Sequence, residues 1–169
     1  MSTVIKPLYG ASSAITISLA SIASSSSFVA GRESDVVTNT SSRYDDALLA
    51  GKIRVGTTPT INTQILVYVW GVLNDTPTYS DVFDGTDSDE TLTSVGVGHG
   101  FLKLAAVLDV DSTTSDRDYP FGPVSVAQLF GGHLPTHWGL FVTHNTGVNL
   151  NSTGGNHIIK YTPVQYESI

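Results

Sequence analysis

The chain has 169 residues, enough for one domain with a substantial core and too few for two comfortable ones. Charged residues are only 14% of it, the net charge is −7 and the eight lysines and arginines are scattered, which argues against nucleic-acid binding through clustered cations. With no cysteine, disulfides, thiolate metal sites and a cysteine nucleophile are excluded together.

Ser, Thr, Asn and Gly supply much of the polarity that charge usually provides. No apolar run approaches the roughly 18 residues of a membrane span, so no membrane partner is expected. Ala14 to Ala23 has apolar residues alternating with Ser and Thr behind a single Lys6, which reads as a strand or extended arm rather than a signal-peptide core. The Asn-x-Ser/Thr triplets at Asn39, Asn74 and Asn151 arise easily in so Ser/Thr-rich a chain and carry little weight.

In chain order, Ile15, Ile17 and Leu19 fall on one face of an extended segment, with Thr16 and Ser18 on the other. Period two means a half-buried strand. The tract Ser24–Ser27 follows, then Phe28, and Ser-rich chain is flexible unless something holds it. Two readings stand for residues 1–35: an arm carrying one apolar strand, or the first strand of the fold with a loose linker. Ile15, Ile17, Leu19, Ile22 and Phe28 are the candidate interface residues of the arm.

Residues 36–169 read as one β-sandwich domain. Leu48, Ile53 and Val55 mark a strand region that breaks at Gly56-Thr-Thr-Pro59. Gln64 to Leu73 is apolar on both faces and rich in β-branched and aromatic residues, as a central strand covered on both sides should be. Leu66, Tyr68 and Trp70 are therefore expected in the core. Asn74-Asp-Thr-Pro77 turns the chain, and Asp81 to Glu90 is an acidic loop. Gly96-Val-Gly-His-Gly100 reads as a loop or bulge, and Phe101 to Val110 as a strand. After the polar loop Asp111 to Asp118, Pro123 to Phe130 suits a short helix, begun by proline and stopped by Gly131-Gly132. Strands follow at about 138–143 and 157–162, and Trp138, Leu140 and Val142 join the expected core.

About seven or eight short strands with turn signals between them point to an all-β, antiparallel sandwich, of which the jelly roll is one form, with an N-terminal arm and at most one short helix.

Candidate chemistry is sparse. His133 and His137 are four apart, but Pro135 and Gly131-Gly132 oppose the helix that would give this spacing a metal-site meaning. His137 and Thr143 instead alternate with Trp138, Leu140 and Val142, as two faces of a strand would. Asp84, Asp87, Asp89 and Glu90 crowd one loop without EF-hand spacing, which favours a solvated acidic turn over a calcium site. Ser125 lies in no Gly-x-Ser-x-Gly motif, so Ser125 with His133 makes no triad. Gly96 to Gly100 lacks the Lys-Ser/Thr of a phosphate loop. Tyr79, Tyr119 and Phe121, if exposed, could stack on sugars or cover a sandwich edge. No cofactor, metal or catalytic residue is expected, and the chain does not read as an enzyme.

The block Ser125 to Gly147, with its Leu134-Pro-Thr-His-Trp-Gly turn and strand, continues into Gly154-Gly-Asn-His157 and Tyr161-Thr162. With Leu8 to Ala23, Arg32-Glu-Ser-Asp35 and Tyr68-Val-Trp-Gly71, it resembles small virion structural proteins of tailed bacteriophages. The resemblance touches most of the chain, and its motifs are structural. It implies a capsid decoration (cement) protein on the outer surface of the head. The implied partners are the major capsid protein and copies of the chain itself, in a trimer or other symmetric cluster. A tail or head-to-tail component is the neighbouring reading, and a carbohydrate-binding β-sandwich module is the alternative from another class.

Overall fold

A computed structural model describes residues 4–74 and 76–168. It is an all-β fold of two antiparallel sheets. One has the order β1 (Ile5–Tyr9), β11 (Ile158–Ser168), β5 (Asp46–Arg54), β9 (Asp118–Ser125), with β2 (Ser13–Ala14) also on β11. The other runs β7 (Asp89–Thr91), β3 (Ala30–Glu33), β10 (His137–His144), β6 (Thr63–Val72), β8 (Lys103–Val110), with β4 (Val37–Thr38) also on β10. The chain crosses between sheets from β2 to β3, β4 to β5, β5 to β6, β8 to β9, β9 to β10 and β10 to β11, which knits the two layers together.

The expected central strand is β6, paired along its length with β10 on one side and β8 on the other. Its alternate side chains feed two different cores. Ile65, Val67 and Val69 face the interior between the sheets, where they meet Leu49, Ile53, Trp138, Leu140 and Val142. Trp70 points the other way, into a second apolar cluster with Phe83, Leu92, Leu102 and Phe141, and half-buried Tyr68 packs against it. Leu66 is buried as well. Residues 79–102 form a cover on the outer face of the second sheet. Every residue of β10 is consequently buried, including His137 and Thr143, which alternation had placed on a polar face. The two aromatic cores tie in by edge-to-face packing: Trp138 on Tyr161 at 5.3 Å, Phe83 on Phe101 at 5.4 Å.

The Gly96–Gly100 stretch is not a loop but helix α1 (Val95–Phe101). Three glycines cost such a helix roughly 1 kcal/mol each relative to alanine. It forms because Ser94 caps it, accepting from the Val97 amide at 3.1 Å, and because its end packs Phe101 and Leu102 into the second core. Gly98 is buried under Leu92, where a Cβ would come within 2.9 Å of that side chain. The helix expected at 123–130 is shorter, α2 (Val126–Leu129). Pro123 stays in β9, and Ser125 becomes the cap, accepting from the Gln128 amide at 3.2 Å.

Candidate functional site

The arm residues do not form a free surface. Ile15, Leu19 and Ile22 are 7%, 1% and 8% exposed and belong to the main core, with Ile17 packed partly buried against them. Phe28 is half-buried at a tight turn with φ of +57°. The alternation in this segment is real, but it faces the chain's own interior. Residues 15–25 lace the two sheets together: Ile15 N–H donates to Ile159, Asp35 N–H to Thr16, Leu150 N–H to Ile22 and Ser25 N–H to His144. The serine tract is held too, because Ser24 Oγ accepts from Gly147 N–H at 2.9 Å and Ser25 Oγ from Ala30 N–H at 3.2 Å.

In the acidic loop Asp84 and Asp89 are exposed, as a solvated turn would have them, while Asp87 clamps the loop to the sheet. Arg32 donates through Nε to Asp87 at 2.6 Å and through Nη1 to Asp89 at 3.0 Å. Ser18 donates its amide and hydroxyl to the same Asp87 carboxylate, at 3.0 and 2.6 Å. Burial pushes Asp87 up, but the bonds from Arg32 and Ser18 outweigh it and hold the group below the ordinary carboxylate range. Glu33, fully buried under this cover, accepts from the Gly85 amide at 2.9 Å and the Asp84 amide at 3.2 Å. Burial, only partly offset by those two donors, pushes its carboxyl up to about 7. Among the described residues no three His, Asp or Glu side chains gather as a metal site would require.

The remaining polar residues are likewise engaged in structure. Ser125 donates to Asp46 at 2.6 Å, and Asp46 also accepts from the Ala127 amide at 2.8 Å. Ser125 and His133 line one open depression with Asp46, yet no hydrogen bond joins the serine to the histidine. His137 is buried beside Thr136, away from exposed His133. His144, not singled out in the sequence, is fully buried; its Nε2–H donates to the Ile22 carbonyl at 3.1 Å, and burial pulls the imidazole down to about 4. Asp118 takes Lys52 and Arg54, each at 2.7 Å, on the outer face of the first sheet. Hydrogen bonds from Arg54 and Lys52 hold Asp118 well below the usual carboxylate range. The aromatic residues considered for sugar stacking turn inward: Tyr119 is buried, Phe121 packs on the main core and Tyr79 sits edge-on against Trp70 at 5.5 Å.

One group of exposed apolar side chains lies on a ribbon formed by β1 and the end of β11, while Ile61, Leu73, Val97, Leu104, Val107 and Ile158 are exposed elsewhere. β11 pairs with β5 only as far as Val164↔Asp46, then continues alone with β1, from Val164↔Tyr9 to Ser168↔Ile5. Strand alternation puts Ile5, Pro7 and Tyr9 on one face with Tyr166, and Lys6, Leu8, Gln165 and Glu167 on the other. Ile5 is 68% exposed, Tyr9 61% and Tyr166 63%. On the other face Leu8 is 50% exposed and Val4 45%, so this two-stranded ribbon, marginally stable by itself in water, carries exposed apolar side chains on both faces.

Both edges of the ribbon are blunted. Gly10 N–H donates to Pro163 O, which fixes the alternation of the ladder and leaves Pro7↔Tyr166 a non-hydrogen-bonded pair. The backbone of Pro7 thus points to the open edge, where it has no N–H to offer. On the other edge, the Tyr166 amide is capped by Asp45 Oδ2 at 2.8 Å. At the root of the ribbon the Tyr166 face runs into the depression lined by Tyr44, Asp45, Ser125, His133, Leu134 and Tyr166, with a volume of about 450 Å³. The sequence held little sign of this surface, because its two strands lie at opposite ends of the chain.

No family model, no curated protein and no solved structure matches this chain.

Proposed function

We propose that the chain is a structural component of a tailed-bacteriophage virion, a decoration protein on the outer surface of the head, without catalytic activity. The observation that carries this reading is the terminal ribbon, a projecting element whose apolar side chains Ile5, Leu8, Tyr9 and Tyr166 the chain's own fold leaves uncovered. The resemblance of Ser125 to Gly147 and of Leu8 to Ala23 to small virion proteins supports it. So does a polar surface with few charges, which meets neighbours in a crowded shell at little cost in ion desolvation. A protein that binds the assembled lattice and not free subunits stabilises the lattice by mass action, and many copies add avidity.

The contact element differs from the one the sequence pointed to. Removing residues 1–30 would take Ile15, Leu19 and Ile22 out of the core and unfold the sandwich. Among the described residues, removing residues 1–9 takes away β1 and Val4, none of which belongs to the main core. Co-sedimentation with heads that lack the protein tests the reading. The full chain saturates the heads at a copy number set by lattice symmetry, and the chain without residues 1–9 folds but does not bind. Equal binding by the two chains, or no binding by either, overturns it.

A further inference from the structure

We propose that the groove around Tyr44 and Leu134 binds a neutral saccharide. These two residues line two adjoining depressions, of about 310 and 450 Å³, which together make one open groove. Its defining side chains, Arg43, Tyr44, Gln128 and His133, lie at the root of the ribbon and outside the contact assigned to it. The inference stands whether or not the chain belongs to a virion. Glu33, Asp46, Asp87 and Asp118 are engaged within the fold. The groove differs: among the described residues, the side chains of exposed Arg43, Gln128 and His133 and the hydroxyl of half-buried Tyr44 make no hydrogen bond or ion pair. Unmatched polar groups gathered in one concavity beside an aromatic ring are what a polar ligand requires.

The backbone beneath these groups is held in place. Buried Asn39 donates its side-chain amide to the Tyr44 carbonyl at 3.0 Å and accepts from the Tyr44 N–H at 2.8 Å. Arg43 N–H donates to the Asn39 carbonyl at 3.0 Å and closes a turn in which Arg43 stands at φ of +50°, a conformation that persists only where its surroundings impose it. Asp46 seats the start of α2, which carries Gln128. Gly131 and Gly132, at φ of +74° and +95°, then turn the chain back, with Gly132 N–H on the Ala127 carbonyl at 2.8 Å, and deliver His133 to the same wall. The mixture of groups selects the ligand. Arg43 only donates, Asp45 only accepts when ionised, and Gln128, neutral His133 and the Tyr44 hydroxyl do both. A ring with a hydroxyl on most carbons matches such a wall, and its C–H face suits the tyrosine ring. An anion is disfavoured, because Asp45 and Asp46 stand in the wall of a chain with net charge −7. An apolar peptide would find one recess beside Tyr44, about 140 Å³, where such peptides use several anchors.

Titration of the isotope-labelled full chain with maltose, cellobiose, lactose and chitobiose, followed by amide NMR shifts, tests this. At least one of these sugars is expected to give saturable shifts at residues 43–46 and 127–134, with a Kd of about 0.1–10 mM, the range of a shallow polar site. Tyr44→Ala weakens binding at least about tenfold, and Tyr44→Phe, which keeps the ring, stays within about threefold. Gln128→Ala weakens it about three- to tenfold, as the loss of one hydrogen bond would. Gln128 is exposed, so that variant keeps the fold if Tyr44→Ala does not. Tyr9→Ala, on the ribbon, stays within about twofold. No shift with any of the four sugars, shifts that gather elsewhere, or native-like binding by Gln128→Ala overturns the proposal. Stronger binding of sialyllactose than of lactose overturns the neutral class. Head binding by a chain that takes no sugar ends this inference alone, and sugar binding by a chain that takes no heads ends the virion reading alone.

Discussion

Two buried titratable groups under neighbouring parts of the fold pull its stability in opposite directions, and replacing Glu33 separates them. Glu33 stands at about 7 in the folded chain against an ordinary 4.5. Its contribution to stability is therefore fully present below pH 4.5 and is lost as pH rises through 7. His144 stands at about 4 against an ordinary 6.5. Its contribution is fully present above pH 6.5 and is lost as pH falls through 4. Each difference corresponds to about 3 kcal/mol. Between pH 4.5 and 6.5 the slopes of Glu33 and His144 oppose and largely cancel, while His157, held below the ordinary imidazole range by burial, adds a smaller rise with pH on the side of His144. Glu33→Gln removes one slope. The variant gains about 2–3 kcal/mol from pH 4.5 to 6.5, and His144→Gln loses about as much over the same range. Glu33→Gln also carries a pH-independent cost, since an amide NH2 would face the N–H of Asp84 or Gly85. Asp87 and Asp118, both held below the carboxylate range, act only at lower pH. Urea unfolding at pH 4.5, 5.5 and 6.5 gives the slopes. A Glu33→Gln profile parallel to that of the native chain would refute the burial argument for Glu33.

Leu19→Ala leaves a cavity between the sheets and costs about 2–5 kcal/mol in urea unfolding, whereas a free arm would lose nothing. Arg32→Ala strips partners from Asp87 and Asp89, costs about 1–3 kcal/mol, and speeds hydrogen exchange at residues 84–88 more than in β6. Gly139→Ala places a Cβ 2.4 Å from the Trp70 ring and 2.9 Å from Ser34 Oγ, so it destabilises by at least about 1–3 kcal/mol, read as a lower thermal midpoint.

The elements most legible in the sequence are those whose side chains announce their surroundings. β6 is a continuous β-branched and aromatic run and is a central strand; β10 was legible as a strand, but its polar-looking face, His137 and Thr143, is buried too. The period-two pattern of Ile15, Ile17 and Leu19 is equally clear, but alternation says only that one face is covered, not by what. The chain's own sheets cover it, which turns an expected contact into core. Helix α1 was illegible because three glycines oppose it locally, and tertiary packing of Phe101 and Leu102 decides the matter. Glu33 sits in an ordinary polar stretch, and only the fold of residues 79–102 over β3 buries it. The ribbon joins residues about 160 positions apart, a juxtaposition that no local pattern encodes.

Whether the proposed contact of the terminal ribbon with a virion surface exists is decided by a reconstruction of the particle at side-chain resolution. The expected result is the sandwich on the outer face of the head, with Ile5, Tyr9 and Tyr166 buried in a contact. A particle without the chain, or one in which these three side chains face solvent while another surface makes the contact, would contradict it.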